Sequence, residues 1–192
     1  LADFNGNGKD DIVVGTDDDN MYLIFDDGTV APGFPYTTGD KIQAAPSIAN
    51  INGEKIIFSG SNDNSFYAIN SDGSLRFSIT ATNNILTSPS FLEYNNTYYV
   101  FFSDDSGMLY AVDMAGNMLS GWPVNAGSVI SKSVVFSDMN GDGIAEIIAV
   151  TELTDVLVFN IDGSDHTGFP MNNEFPFKAS PMLMDMDGDG DL

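Results

Sequence analysis

Short apolar runs separated by polar turn residues dominate the hydrophobic pattern of this 192-residue chain. The runs are about four to six residues long, rich in β-branched and aromatic residues, and bounded by Gly, Asn, Asp and Pro, which is typical of short β-strands. Apolar positions do not follow the 3.6-residue period of a helix. Two segments show the pattern well, with strands expected at 47–50, 56–59, 66–69 and 75–79, and at 133–137, 147–151, 156–160 and near Phe169. The pattern predicts an all-β fold.

Three sequence markers recur along the chain about every 45 residues, which indicates an internal repeat. The first is an apolar strand and turn that end at Gly28, Gly73, Gly116 and Gly163. The second is Gly-aromatic-Pro, which begins at Gly33, Gly121 and Gly168, with Leu75-Arg76-Phe77 in the remaining repeat. The third is a small residue before proline at Ala45-Pro46, Ser88-Pro89 and Ser180-Pro181, with Lys132-Ser133 in the remaining repeat.

This period matches one blade of a β-propeller, which packs four short strands into about 45 residues. The expected repeats are 1–44, 45–87, 88–131 and 132–179, and 180–192 begins a further blade. We therefore predict about four blades of four antiparallel strands. Because both chain ends fall inside a blade, they are expected to belong to a larger propeller of seven or eight blades.

A loop rich in Asp, Asn and Gly joins the first two expected strands at 3–11 and 138–146, and it begins again at 185–192. Its first, third and fifth residues are acids or amides, its fourth and sixth are glycines, and its ninth is an acid. Calcium binds six to eight oxygens in flexible geometry, whereas magnesium demands a stricter octahedron. An EF-hand would need Glu at position twelve and flanking helices, but that position holds Val14 or Ala149 within an apolar run. The alternative is an Asp/Gly turn without an ion.

The other two repeats join the same strands by shorter links, at Asn52-Gly53 and at Asn95-Asn96. These pairs suit a two-residue type I′ hairpin turn. The acids therefore accompany the longer loop, as a metal site would require.

These features resemble the FG-GAP/VCBS repeat family of β-propellers, which includes the integrin α-subunit propeller, although the FG and GAP sequences themselves are not present. In that family the loop D-x-D-x-D-G-x-x-D binds calcium between the first two strands of a blade. The resemblance implies two complete Ca²⁺ sites and one truncated site. The implied ligands are Asp3, Asn5, Asn7, the Lys9 carbonyl and Asp11; Asp138, Asn140, Asp142, the Ile144 carbonyl and Glu146; and Asp185, Asp187, Asp189 and the Asp191 carbonyl.

Charge and composition narrow the possible functions. Six Lys and Arg stand against 28 Asp and Glu, so the net charge is −22, which disfavours nucleic acid and anionic lipid as partners. No apolar run reaches the length of a membrane span. The chain has no cysteine, which excludes thiolate catalysis and Cys-ligated metals. His166, the single histidine, is expected to be a solvated loop residue outside any Ser-His-Asp set.

The aromatic residues that recur at the blade period are expected to form inter-blade core rather than a sugar-binding platform: Tyr22, Tyr67, Tyr110, Phe34, Trp122 and Phe169. Members of the resembled family are typically secreted or exposed at the cell surface and bind ligands. We therefore expect a non-catalytic, calcium-binding scaffold that is extracellular or at the cell surface, with a protein or carbohydrate ligand and with any secretion signal outside this segment. The alternatives are an accessory part of a calcium-dependent, lyase-type polysaccharide-active enzyme and a structural tandem-repeat surface protein.

Overall fold

The computed structural model describes residues 1–130, 132–177 and 179–182, and within these ranges it contains fifteen β-strands and no helix. The strands are β1 (Ile12–Gly15), β2 (Asn20–Ile24), β3 (Tyr36–Thr37), β4 (Ser47–Ile51), β5 (Glu54–Gly60), β6 (Ser65–Asn70), β7 (Leu75–Thr80), β8 (Ser90–Tyr94), β9 (Thr97–Ser103), β10 (Met108–Asp113), β11 (Val124–Asn125), β12 (Val135–Ser137), β13 (Glu146–Val150), β14 (Asp155–Phe159) and β15 (Met171–Asn172). The all-β prediction is confirmed. In this described part of the chain, no helix is long and apolar enough to cross a bilayer.

The strands form four antiparallel sheets in which each strand pairs with its neighbour in the sequence. The second sheet (β4–β7), the third (β8–β11) and the fourth (β12–β15) have four strands each, as predicted. The first sheet (β1–β3) has three, and a single bridge between Ala2 and Asp11 precedes β1. Each sheet therefore has the up-and-down strand order of a propeller blade.

The two short links have the predicted hairpin geometry. In Asn52-Gly53 the φ angles are 52° and 87°, and in Asn95-Asn96 they are 50° and 58°. A type I′ turn requires positive φ at both central residues. The short links therefore close β4 on β5 and β8 on β9 without any acidic loop.

The chain divides into two compact units, Leu1–Pro89 and Ser90–Leu192. In the first unit, the apolar core lies between the first and second sheets and is built on Met21, Ile42, Ile57 and Ile69. Phe34, Tyr36 and Tyr67 pack against these four side chains.

In the second unit, an apolar core joins the third and fourth sheets. Trp122 lies at its centre, with its ring centroid 5.2 Å from that of Phe101 and 6.1 Å from that of Phe159. Ile130 and Ile147 are buried in the same cluster. The prediction that the periodic aromatics form inter-blade core is thus confirmed for Trp122, and also for Phe34 and Tyr67 in the first unit.

The Gly-aromatic-Pro marker makes a backbone contact with the neighbouring sheet in each unit. A Cβ atom on Gly33 would lie 1.9 Å from the Asp72 carbonyl oxygen, and one on Gly121 would lie 1.8 Å from the Asp162 carbonyl oxygen. Both glycines have φ near +90°, a conformation that L residues rarely adopt. Glycine is therefore required there both by conformation and by close approach. The peptide bond before proline is cis in all three copies of the marker.

Candidate metal centre

The first long loop, residues 3–11, folds around the Asp3 carboxylate. One Asp3 oxygen accepts hydrogen bonds from the backbone N–H groups of Gly6 and Asn7, at 2.7 and 3.2 Å, and the other accepts one from Gly8 at 2.8 Å. The Gly8 N–H, together with the bonds from Gly6 and Asn7, holds the pKa of Asp3 below its usual value. Gly6 and Gly8 have φ of 79° and 84°, so the two glycines allow the chain to turn around this side chain.

The remaining predicted ligand residues of the first loop also accept backbone hydrogen bonds from within the loop. The Asn5 side-chain oxygen accepts the Asn7 N–H at 3.0 Å, and the Asn7 side-chain oxygen accepts the Lys9 N–H at 2.9 Å. The Asp11 carboxylate closes the loop by accepting the Phe4 N–H at 2.7 Å. The five predicted positions thus take part in one hydrogen-bonded loop, in which Lys9 contributes its N–H.

The second long loop, residues 138–146, repeats this frame bond for bond. The Asp138 carboxylate accepts N–H groups from the fourth, fifth and sixth positions at 2.8, 3.1 and 2.8 Å. Asn140 accepts the Asp142 N–H at 2.9 Å, and Asp142 accepts the Ile144 N–H at 2.8 Å. Glu146 closes the loop by accepting the Met139 N–H at 2.8 Å. Two segments 135 positions apart thus adopt one oxygen-rich conformation.

The closing carboxylates are the buried members of the two loops. Asp11 is 0% exposed and Glu146 is 2% exposed, although a charged side chain is costly to bury unless it is compensated. Asp11 is held by backbone N–H groups of Phe4 and Asp26, and Glu146 by Met139 and the Asn140 amide. Within the described ranges, neither carboxylate forms an ion pair.

A buried hydroxyl lies beside the second loop. Ser137 pairs directly with Glu146 across β12 and β13, so the two side chains lie on one face of the sheet. The Ser137 hydroxyl oxygen is buried and has no hydrogen-bond partner among the described residues. A polar atom left unpaired next to a buried carboxylate fits a site whose charge is completed by a bound cation.

Asp26 lies against the first loop in the structure, although the loop pattern gives no reason to include it. Its carboxylate accepts hydrogen bonds from the Asn7 amide and the Lys9 ammonium, both at 2.7 Å. Lys9 and then Asn7 hold the pKa of Asp26 below its usual value. One sequence feature could have pointed to Asp26. It lies two positions before the turn glycine, where the other repeats have Ser71, Met114 or Ile161 instead of an acid.

The donor set fits calcium in its chemistry: carboxylate and amide oxygens, with a main-chain carbonyl at Lys9 or Ile144. In residues 1–130, 132–177 and 179–182, however, no three side chains of His, Cys, Asp or Glu come together as a metal-holding group. Carboxylates repel one another unless a cation lies between them. Here each one turns towards backbone N–H groups instead, and in the first loop only Asp3 and Asp11 of the predicted positions are carboxylates.

Two sequence predictions remain to be placed. The third loop, with Asp185, Asp187, Asp189 and Asp191, lies outside the described residues. His166 was expected to be solvated, but it is half-buried: its Nδ1 lies 2.9 Å from the Asn160 side-chain oxygen, and its ring contacts Phe169. His166 is partly buried because it packs on the turn after β14, against Asn160 and Phe169.

The fold is similar to several solved structures at low sequence identity. The computationally designed Ika8 protein matches with a TM-score of 0.69 and 15% identity over 92% of this chain and 51% of that one. BBS1N, crystallised in complex with ARL6DN, matches at 0.58 and 16% over 86% and 46%. BamB from Moraxella catarrhalis matches at 0.55 and 14% over 81% and 44%.

The chain therefore spans about half the length of these structures. No protein-family model and no curated protein sequence matches it. Identities this low support the fold alone. The propeller-like architecture of BBS1N and BamB agrees with the strand order of the four sheets, and the chain is an all-β protein built from β-propeller blades.

Proposed function

We propose that this chain is a calcium-binding propeller segment that acts as a binding scaffold outside the cell or at its surface. The observation that carries the proposal is the repeated loop. Two separate segments place oxygens at positions one, three and five in the same hydrogen-bonded frame, and each is closed by a buried carboxylate. A turn that only solvated its acids would not need to bury the last of them.

Each loop would hold one cation. Asp3, Asn5, Asn7 and Asp11 would supply side-chain oxygens in the first loop, and Asp138, Asn140, Asp142 and Glu146 in the second. Calcium accepts neutral amide oxygens and irregular geometry, which suits the mixed Asp and Asn content. The bound ion would neutralise carboxylates that otherwise repel one another.

The chemistry of the loops and of the surface supports the proposed extracellular location. Extracellular calcium modules bind in the range of about 10⁻⁴ to 10⁻³ M, which suits the first loop, with two carboxylates among its ligands, and the second, with three. A net charge of −22 keeps such a protein soluble and repels anionic polymers. We infer a scaffold role rather than catalysis, because the only histidine is engaged with Asn160.

A protein or a carbohydrate is the proposed partner. Support for a protein comes from BBS1N, a propeller-like structure that was crystallised in complex with ARL6DN. Pull-down of candidate ligands with and without calcium would test this role, and binding that does not depend on calcium would contradict the link between the loops and recognition.

Thermal unfolding in calcium and in excess EDTA tests the metal proposal. An ion that binds only the folded state at 100 times its dissociation constant adds roughly 2.7 kcal/mol, which corresponds to a rise in Tm of roughly 10 °C for a unit of this size. Magnesium at the same concentration should give a much smaller rise.

A double variant and a control variant test whether the calcium-dependent rise in Tm comes from the two loops. Asn5→Ala with Asn140→Ala removes one ligand from each loop but keeps every carboxylate, and it should reduce the calcium shift. Asn83→Ala, an exposed asparagine far along the chain from both loops, should leave the shift unchanged. Equal melting temperatures in calcium and in EDTA for the unaltered chain would refute calcium binding.

A further inference from the structure

The two long loops share one hydrogen-bonded frame, but they differ at the residue immediately before the loop. That residue is Ala2 for the first loop and Ser137 for the second. The two positions are equivalent by strand register. Ala2 bridges the closing carboxylate residue Asp11, and Ser137 pairs with the closing residue Glu146. The second loop therefore has a hydroxyl beside its closing carboxylate where the first loop has a methyl group.

The Ser137 hydroxyl is buried without a partner. The residue is 4% exposed, and no group in the described ranges forms a hydrogen bond with its side-chain oxygen. Ser61, a buried serine in the second sheet, instead donates its hydroxyl to the Asp40 carbonyl oxygen at 2.8 Å. An unpaired buried hydroxyl is unfavourable, so its place beside Glu146 calls for a physical reason.

The Glu146 carboxylate supplies that reason. Directly opposite residues of antiparallel strands have Cβ atoms about 4.5–5.5 Å apart on one face, which places the Ser137 hydroxyl next to this side chain. The Met139 N–H donates to one Glu146 oxygen at 2.8 Å, whereas the Asn140 amide is 3.3 Å from the other, which is long for such a bond. Because Asn140 is also a proposed ligand, a cation in the loop would compete with Glu146 for its side chain. The Ser137 hydroxyl is the buried donor that can replace it.

We propose that Ser137 is a positioning residue of the second loop's cation site. When the ion binds, the Ser137 hydroxyl donates to the Glu146 carboxylate and holds it towards the ion. This inference rests on the calcium binding proposed above. Hydrogen bonds that orient a ligand from outside the ligand set typically change metal affinity by about 10- to 100-fold.

The two loops are then unequal cation sites. Position five is Asp142 in the second loop and Asn7 in the first, so the second loop has one more carboxylate among its ligands. The first loop also carries the Lys9 ammonium, which is paired with Asp26. Calcium affinity depends on the charge count and the rigidity of the ligands. The second loop should therefore bind calcium more tightly, and Ser137 should account for part of the difference.

Calorimetric titration of the full chain with calcium, after removal of metal ions with EDTA and dialysis, tests the inference. The unaltered chain should show a tighter and a weaker binding step, with dissociation constants at least about tenfold apart. Asn140→Ala should weaken the tighter step and Asn5→Ala the weaker one, which assigns each step to its loop. Ser137→Ala should weaken the tighter step by about tenfold and leave the weaker step unchanged.

Thermal unfolding in excess EDTA separates this role from a structural one. Ser137→Ala removes a hydroxyl that has no partner, so its Tm in EDTA should not fall below that of the unaltered chain. Ser61→Ala is the matched control, because it removes a buried hydroxyl that is already bonded. This control should lower the Tm in EDTA and leave both calcium affinities unchanged. The two variants should thus show opposite patterns of stability and calcium binding.

Three outcomes would overturn the inference while calcium binding stands. They are a tighter step that Ser137→Ala leaves unchanged, equal affinities of the two loops, and a Tm in EDTA that falls in Ser137→Ala as far as in Ser61→Ala. The last result would mean that the hydroxyl stabilises the fold itself. A chain that shows no calcium-binding step at all would overturn the proposed function, and this inference with it, so the two failures are distinguishable.

Discussion

Gly121 lies where the backbones of the third and fourth sheets approach one another, and Gly121→Ala should weaken that contact strongly. The added Cβ would lie 1.8 Å from the Asp162 carbonyl oxygen and 2.7 Å from its carbon. Both obstacles are backbone atoms, so no side chain can rotate away. The two sheets must separate by more than an ångström, or the turn that contains Asp162 must deform.

The cost has three parts. A non-glycine residue at positive φ costs roughly 1–2 kcal/mol, and forcing extra volume into a packed contact typically costs about 1–3 kcal/mol. Separation would also stretch the 2.9 Å hydrogen bond from the Trp122 indole N–H to the Ile161 carbonyl, worth about 1 kcal/mol. The expected loss is therefore about 3–6 kcal/mol, a large share of the roughly 5–15 kcal/mol by which a domain is typically stable.

Gly127→Ala provides a matched control in the same sheet. Gly127 also has positive φ, at 74°, but a Cβ there would meet nothing within 4 Å. This substitution should therefore cost only the conformational part, about 1–2 kcal/mol. The difference between the two variants, about 2–4 kcal/mol, measures the close approach of the sheets.

Urea unfolding followed by tryptophan fluorescence suits this comparison. Trp122 is the only tryptophan, it is buried in the core of the second unit, and it adjoins Gly121. The midpoint should fall much further in Gly121→Ala than in Gly127→Ala, with similar slopes. If the two variants lose the same free energy of unfolding, the glycine at position 121 is required by its dihedral angle alone and the close-contact argument is wrong.

Two further predictions concern the first unit. Asp26→Asn should weaken calcium binding to the first loop by about tenfold, because the carboxylate orients the Asn7 amide from outside the ligand set; calorimetry should show no such change for Asp27→Asn, and an equal change in both would contradict a positioning role. Burial and the hydrogen bond to Asp63 raise the pKa of Tyr67 to about 12. Because the folded protein holds this proton more tightly than the unfolded chain, the contribution of Tyr67 to the free energy of unfolding is complete below about pH 10 and is lost as pH rises through about 12. Ultraviolet titration should show late phenols at Tyr36, Tyr67 and Tyr98, of which that of Tyr67 should move towards about pH 10 in Asp63→Asn; a Tyr67 phenol unmoved by that substitution would refute the contribution of Asp63.

The blade repeat could be predicted from the sequence because its signals are local. Turn glycines, short apolar runs and Asn-Gly pairs each act within a few residues, and the strands begin and end within about two residues of their predicted bounds. The frame of the two long loops was predictable for the same reason, since all its hydrogen bonds join residues of one loop.

Contacts between segments that are distant in the chain could not be predicted in the same way. Asp26 reaches the first loop from the turn after β2, and nothing in the spacing of Asn7 and Lys9 indicates it. The role of the Gly-aromatic-Pro marker could not be predicted either. In a sequence, a glycine required by the close approach of a neighbouring sheet cannot be distinguished from a glycine required by a turn. Only the position of the Asp162 carbonyl separates the two roles of Gly121.

The position of the closing carboxylate links the loops to the packing of the sheets. Glu146 is the first residue of β13, and the next residue, Ile147, is buried in the core of the second unit. Asp11 likewise precedes Ile12, the first residue of β1. An ion that fixes the closing carboxylate would therefore also fix the start of the strand that carries the inter-sheet side chain. In the second unit a bound ion would therefore stabilise the core that joins the third and fourth sheets as well as the loop itself.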